Sequence, residues 1–328
     1  MSDDSAGQRP PLLLADIGGT NARFAVVDAD GAEQTVVLRC ADHRSLEAAI
    51  RAALVALGTR PWPESAALAV AAPVLGDEVA LTNLSWRFSV GALRAALGLR
   101  RLEVINDFTA LALGIPGLGA ADRRQIGPGV PVAGAPIAVL GPGSGLGVSG
   151  LVPAGDGGWI ALSGEGGHIT MAPADDTEGA VLAALRRRTG HISAEDVLSG
   201  PGLAALYQTL CDIAGRAPER LDAAGITAAA LTGDCPLCTG TVELFAAFLG
   251  TVAGNLALTL GARGGVYIGG GIVPRLGALF GRSAFRRRFT GKGAHAAAYL
   301  APIPTYVITH PLPAFPGLRA LLSAGARS

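Results

Sequence analysis

The chain alternates between short, continuous apolar runs bounded by glycine and longer stretches in which apolar residues return every three or four positions. The first kind predicts strands and the second amphipathic helices. From Pro11 to Asp28, LLLADIGGTNARFAVVD reads as an apolar strand, a tight Gly-Gly-Thr-Asn turn and a second strand. Helical spacing follows over Ser45–Leu57, a strand over Ala66–Ala71, and a helix in VGALRAALG capped by Ser89 and closed by Gly98. In VINDFTALAL a strand over Leu102–Ile105 stops at Asn106 and Asp107, and a helix resumes over Phe108–Leu113. A carboxylate at that junction is either a cap or a catalyst.

The first motif returns at Ile137, where IAVLGPGSGLGVSGLVP is again strand, Gly/Ser turn and strand, about 120 residues further on. Helices are predicted over Thr177–Arg188, Gly202–Cys211 and Thr241–Gly261, with strands in GGVYIGGG (Gly264–Gly271) and PTYVITHP and a terminal helix near Leu318–Leu322. Ser193 reads as the start of a further short helix with Glu195 and Asp196 in its first turn, where the helix dipole alone explains two acids. Interleaved strands and helices predict an α/β protein, and the repeated hairpin predicts two duplicated lobes. The expected division is a disordered tail over 1–10, a small α/β domain over 11–116 plus about 310–328, and a large α/β domain over 117–309. The apolar stretch Leu244–Gly261 approaches the length of a membrane span, but Asn255, its Thr and Gly residues and the lack of a basic anchor before it favour a buried core helix.

Composition narrows the function. At 328 residues a sizeable core is available. Lys plus Arg and Asp plus Glu both number 26, so nothing favours nucleic acid or an anionic membrane, and a small-molecule ligand is expected. Four cysteines, two of them in Cys235-Pro-Leu-Cys238, do not form a secreted disulfide framework, and the polar start MSDDSAGQRPP lacks the apolar centre of a signal peptide. A cytoplasmic protein is expected, with the cysteines structural or incidental.

Three glycine clusters carry candidate chemistry. In Asp16-Ile-Gly18-Gly19-Thr20-Asn21, backbone N–H groups can approach phosphate oxygens with no Cβ in the way, Thr20 and Asn21 can add hydrogen bonds, and Asp16 can hold Mg²⁺ through water. An ordinary Gly-Gly hairpin is the plain alternative. The sequence is neither a Walker loop nor a dinucleotide fingerprint. The tip Gly143-Ser144-Gly145 makes a second such clamp, and Gly269, Gly270 and Gly271 between a strand and Pro274 can lie against a nucleoside. In Ser163-Gly-Glu165-Gly-Gly-His168 a carboxylate and an imidazole stand three apart on a Gly-rich loop, aimed at ligand hydroxyls or simply satisfied by the loop; no further metal ligand accompanies them.

Taken in order, ADIGGTNARFAV, LTNLSWRFSV, EVINDFTALALGIP, GPGSGLGV, LSGEGGH, SAEDVLSGPGL and GGVYIGGGIVPR closely resemble the bacterial glucokinase family, a branch of the actin-like, hexokinase-type ATPases, over roughly Leu12–Leu321. The resemblance implies two α/β lobes with five-stranded, ribonuclease H-like cores and an interdomain cleft for sugar and MgATP. It implies Asp107 as catalytic base, Asn106 and Asp107 on glucose, and Glu165, His168 and Glu195 on further hydroxyls. It matches both hairpin tips to phosphate loops and Gly269–Gly271 to the nucleoside region, and it implies a homodimer. HPLPAFPGLRALL departs from the family in its extra prolines, and the cysteine-rich zinc motif of the related ROK branch is missing. The implied reaction is ATP-dependent phosphorylation of D-glucose at the 6-hydroxyl. The alternatives are another hexose, another phosphoryl donor, or a sugar-sensing regulator without turnover, for which the roughly ten residues before the first strand are too few to hold a helix-turn-helix.

Overall fold

The computed structural model describes residues 10–82, 84–155 and 157–324, so the tail expected over 1–10 lies outside it save Pro10. The chain separates into two compact units, residues through Leu118 together with Pro311 onward, and Gly119–His310.

The first unit holds β1 (Leu12–Ile17), β2 (Asn21–Val27), β3 (Glu33–Arg39), β4 (Ser65–Val70), β5 (Glu78–Ala80), β6 (Arg87–Ser89) and β7 (Arg101–Asn106), with α1 (Leu46–Ala56), α2 (Val90–Leu97) and α3 (Asp107–Gly114). Five strands form one sheet in the order β3-β2-β1-β4-β7, while β5 and β6 pair apart as a ribbon. The hairpins β1–β2 and β2–β3 are antiparallel; β4 lies parallel to both β1 and β7. Strand β1 reads as a continuous apolar run because it is covered on both faces. Leu13, Ala15 and Ile17 pack with Leu46, Ile50 and Leu54 of α1 and Leu93 of α2. Leu14 packs on the other side with Ala110 of α3 and with Phe315, Leu318 and Leu322 of the C-terminal helix Ala314–Ala324. The caps read from the sequence are present, Ser89 accepting from Ala92 N–H and Gly98 ending α2 at φ +67°, and the structure adds Ser45, which caps α1 by accepting from Ala48 N–H.

The C-terminal helix meets α3 backbone to backbone. A Cβ on Gly317 would collide with the Ala110 carbonyl, and one on Gly114 with the Pro313 carbonyl. The extra prolines of HPLPAFPGLRALL therefore lead into a well-formed helix, with Pro316 in its first turn, where no intrahelical N–H is lost.

The second unit holds β8 (Arg123–Ile126), β9 (Ile137–Pro142), β10 (Leu146–Pro153), β11 (Trp159–Ser163), β12 (Val266–Ile268) and β13 (Thr305–Ile308). Its helices are α4 (Asp176–Thr189), α5 (Gly200–Ile213), α6 (Ala223–Thr232), α7 (Pro236–Leu260), α8 (Gly277–Arg282), α9 (Phe285–Thr290) and α10 (Ala294–Leu300). The sheet order is β11-β10-β9-β12-β13-β8, with β9–β10–β11 antiparallel and β9, β12 and β13 parallel. Order and sense repeat those of the first sheet. The second sheet also carries a sixth strand, β8, antiparallel to β13, where the resemblance implied five. Its residues Arg123, Arg124 and Gln125 hide an edge strand behind charge.

Helix α7 is the membrane-length stretch, and 72% of its apolar window is buried inside the protein. Gly250 and Gly254 let it lie against the backbone of α9, since a Cβ on either would strike the carbonyl of Phe285 or Phe289. Two expectations need correction. The GGVYIGGG strand is confined to Val266–Ile268, because Gly269 and Gly270 turn onto β9. Ser193 starts no helix; residues 195–197 form a turn in which the Asp196 carboxylate accepts from both Ser193 N–H and Ser193 Oγ at 2.7 Å.

Candidate active site

In the first unit the tip of the β1–β2 hairpin, Gly18 to Asn21, is closed by Gly18 N–H donating to the Asn21 carbonyl at 3.1 Å, and Thr20 is exposed at its end. Cys40 braces this tip from the end of β3. Its N–H donates to the Thr20 carbonyl at 2.9 Å and its thiol to the Gly18 carbonyl at 3.4 Å. Nothing in the sequence around Cys40 signals that role, which comes from the β2–β3 register placing Asn21 opposite Arg39.

The junction at VINDFTALAL resolves into two tasks. Asn106 ends β7 and is the N-cap of α3: its Oδ1 accepts from Phe108 N–H at 2.9 Å and Thr109 N–H at 3.2 Å, and its Nδ2 donates to the Ala72 carbonyl at 3.4 Å. Asp107 is the first residue of the helix, and one carboxylate oxygen accepts from Phe108 N–H at 3.0 Å. The cap is the amide, which leaves the acid for chemistry. Asp16 at the end of β1 pairs in register with Arg23, whose guanidinium reaches its carboxylate at 3.5 Å.

Burial raises the Asp107 carboxyl to about 6, and the nearby Asp16 charge pushes the same way, against the hydrogen bonds that favour the anion. Burial raises Asp16 as well, with Arg23 opposing. Two acids held above their usual range on parallel strand ends are the kind of pair that accepts a proton near neutrality or shares a cation. Among the described residues no group of three or more His, Cys, Asp and Glu could cage a metal by itself. Hard oxygen donors in so small a number suit Mg²⁺, which keeps several waters and binds through one or two carboxylates and substrate phosphates.

In the second unit the β9–β10 hairpin tip places Ser144 exposed between Gly143 and Gly145. Gly143 N–H donates to the Gly145 carbonyl at 2.8 Å, and the Gly143 carbonyl accepts from Gly200 N–H, at the start of α5, at 2.8 Å. The turn around Glu195 leans on this tip. Glu195 Oε2 accepts from Leu146 N–H at 2.7 Å, a Cβ on Gly145 would run into the same carboxylate, and Glu195 N–H donates to the Gly167 carbonyl at 2.9 Å. Glu195 is thus a clamp on a loop, not a dipole partner in a helix.

Glu165 precedes and His168 ends one tight turn, Gly166–His168, with Nε2 and Oε2 3.9 Å apart and both side chains more than half exposed. The glycines between them face the protein: a Cβ on Gly166 would meet Val148 and one on Gly167 the Leu146 carbonyl. They hold the loop against β10.

Gly269 and Gly270 pack on the other side of the same hairpin. Gly269 N–H donates to the Leu140 carbonyl at 2.9 Å, and Gly270, at φ +78°, sits where a Cβ would strike the Pro142 carbonyl. Beside them Ala223, Thr227 and Leu231 of α6, with Ile272 and Arg275, line a mostly apolar cavity of about 230 Å³. Helix α6 carries no charged residue and passed unread in the sequence, so this wall was missed.

A family model for glucokinase matches residues 13–324. The chain belongs to the bacterial glucokinase family. A glucokinase of Paramagnetospirillum magneticum is 51% identical over 95% of this chain and 97% of its own length. The crystal structure of a glucokinase from an Antarctic psychrotroph superposes with a TM-score of 0.85 at 40% identity, covering 97% of this chain and all of that one. A ROK family glucokinase from Streptomyces griseus, solved in complex with glucose and AMPPNP, shares the fold at a TM-score of 0.64 and 18% identity over 95% of this chain and 98% of that one.

Proposed function

We propose that this chain is a glucokinase that transfers the γ-phosphoryl group of ATP to the 6-hydroxyl of D-glucose. The observation that carries the reading is Asp107, a carboxylate freed from capping by Asn106 and raised to about 6, in a chain of this family. Asp107 accepts the proton of the attacking hydroxyl, a role worth roughly 10² to 10⁴ in rate. Asn106 binds the sugar beside it, and Glu165, His168 and Glu195 take further hydroxyls. Carboxylates suit this work because each accepts from more than one OH, so a sugar lacking the hydroxyl leaves a polar group unpaired.

Phosphoryl transfer asks mainly for position and charge compensation. The tips at Gly18, Gly19, Thr20 and Asn21 and at Gly143, Ser144 and Gly145 offer the phosphates the Thr20 and Ser144 hydroxyls and the N–H groups not spent closing the turns, and the cavity beside Gly269–Gly271 suits a nucleoside. Asp16 would hold Mg²⁺, and the cation would supply positive charge to the phosphates. The test is a coupled assay for sugar 6-phosphate over a panel of hexoses and phosphoryl donors, with Asp107→Asn beside the natural chain. Glucose with ATP is expected to lead, and the variant to lose turnover while still binding glucose. A preferred sugar other than glucose, a donor other than ATP, or near-normal turnover by the variant overturns the reading.

A further inference from the structure

Cys235 is the N-cap of α7 and Cys238 its third residue, with Pro236 opening the helix between them. The Cys235 sulfur accepts from Cys238 N–H at 3.2 Å, so it lies over the first turn as an N-cap side chain lies over the N3 position. Burial pushes the Cys238 thiol up to about 12, and the neighbouring Cys235 acts in the same direction. Both thiols are free, Cys238 is fully buried, and Cys235 is partly exposed. Cys211 of α5 is a buried neighbour close enough to be felt by Cys238 and by Tyr207. No group of three or more metal-ligating side chains is present among the described residues, so a metal does not account for the pairing.

A partly exposed cysteine whose sulfur already receives an N–H, backed by a buried thiol one helical turn away, is a geometry for attack followed by resolution. Residues at N-cap and N3 need little backbone movement to bring their sulfurs to bonding distance. We propose that Cys235 and Cys238 form a reversible oxidation site, closed to an intramolecular disulfide by a low-molecular-weight disulfide of the glutathione class. In the first step the Cys235 thiolate attacks one sulfur of the reagent. The reagent S–S bond breaks, a mixed disulfide forms on Cys235, and one reagent thiol leaves with the proton Cys235 has lost. In the second step the Cys238 sulfur attacks the Cys235 sulfur, its own proton goes to the second reagent thiol, and that thiol leaves. Two protein thiols are oxidised and one reagent disulfide is reduced to two thiols.

The site shares no residue with the candidate active site, so the direct readout is chemical. The full chain is incubated in native buffer with excess glutathione disulfide, alkylated with a maleimide, digested and mapped by mass spectrometry. The natural chain should yield a Cys235–Cys238 linked peptide that dithiothreitol returns to two thiols. Cys238→Ser should accumulate glutathione on Cys235, because nothing remains to resolve it. Cys235→Ser keeps a hydroxyl at the N-cap, so the helix start is preserved, and it should slow thiol loss more than about tenfold. Both thiols staying free in the natural chain, a stable glutathione adduct on its Cys235, a Cys211–Cys238 link, or unchanged thiol loss in Cys235→Ser would each overturn the proposal.

Discussion

Replacing Asp107 by Asn separates its cost to the fold from its use in the reaction. The side chain keeps its shape and an acceptor for Phe108 N–H, and loses only the negative charge. In the native chain that charge is disfavoured by burial and by Asp16, which raise the carboxyl from 3.8 to about 6. Each tenfold change in acidity is about 1.4 kcal/mol, so ionising Asp107 in the folded state costs up to about 3 kcal/mol relative to the unfolded chain. An acid whose folded value is raised binds more protons in the native state, so its stabilising contribution is present at low pH and is lost as pH rises from about 4 through about 6. The variant should therefore be more stable than the natural chain by roughly 1 to 3 kcal/mol at pH 8, and the gap should close by pH 4. The assay is urea unfolding in the presence of chelator, followed by tryptophan fluorescence; Trp62 and Trp86 both report on the unit that carries Asp107. In the coupled assay the same variant should turn over glucose roughly 10² to 10⁴ more slowly. A variant less stable than the natural chain at pH 8, or a gap that does not narrow on acidification, refutes the assignment of the raised value to buried charge. Turnover within tenfold of the natural chain refutes its role as base.

Because Asp107 must be ionised to accept a proton, kcat/KM of the natural chain should fall on the acid side of about pH 6 and level off above it; a flat profile from pH 5 to 8 would remove Asp107 as the titrating base. Gly145→Ala drives a Cβ into the Glu195 carboxylate that holds Leu146 N–H, so KM for both glucose and ATP should rise several-fold together, as steady-state kinetics will show. Glu165→Ala should raise the glucose KM sharply while sparing the ATP KM; an unchanged glucose KM takes Glu165 out of the sugar site. Gly317→Ala puts a methyl against the Ala110 carbonyl where the C-terminal helix meets α3, and should cost roughly 1 to 3 kcal/mol of stability in calorimetry.

The local devices were legible because they depend on near neighbours. Ser89 and Gly98 cap α2 as read, and both Gly-tipped hairpins lie where the apolar runs break. Elements whose signal is carried by exposed or charged residues were passed over. Strand β8, with two arginines, is completed only by its pairing with β13, and β3 is polar over much of its length because it is a sheet edge. The Ser193 helix failed for a related reason. An acid two or three residues after a serine looks like a first turn, but Glu195 is drawn away to Leu146, a partner 49 residues distant.

By itself the sequence determined the alternation of strand and helix, the duplication of a hairpin and the family to which the chain belongs, since these are written in residue order and short spacing. The tertiary structure decided what each polar residue does. It made Asn106 the cap and relieved Asp107 of capping, brought Asp16 near enough to raise it, turned Cys40 into a brace, and showed that Gly167, Gly250 and Gly254 are empty of side chain because another backbone occupies that space, and Gly166 because the Val148 side chain does. Burial and through-space charge depend on residues far apart in the chain, and only the folded chain brings those together.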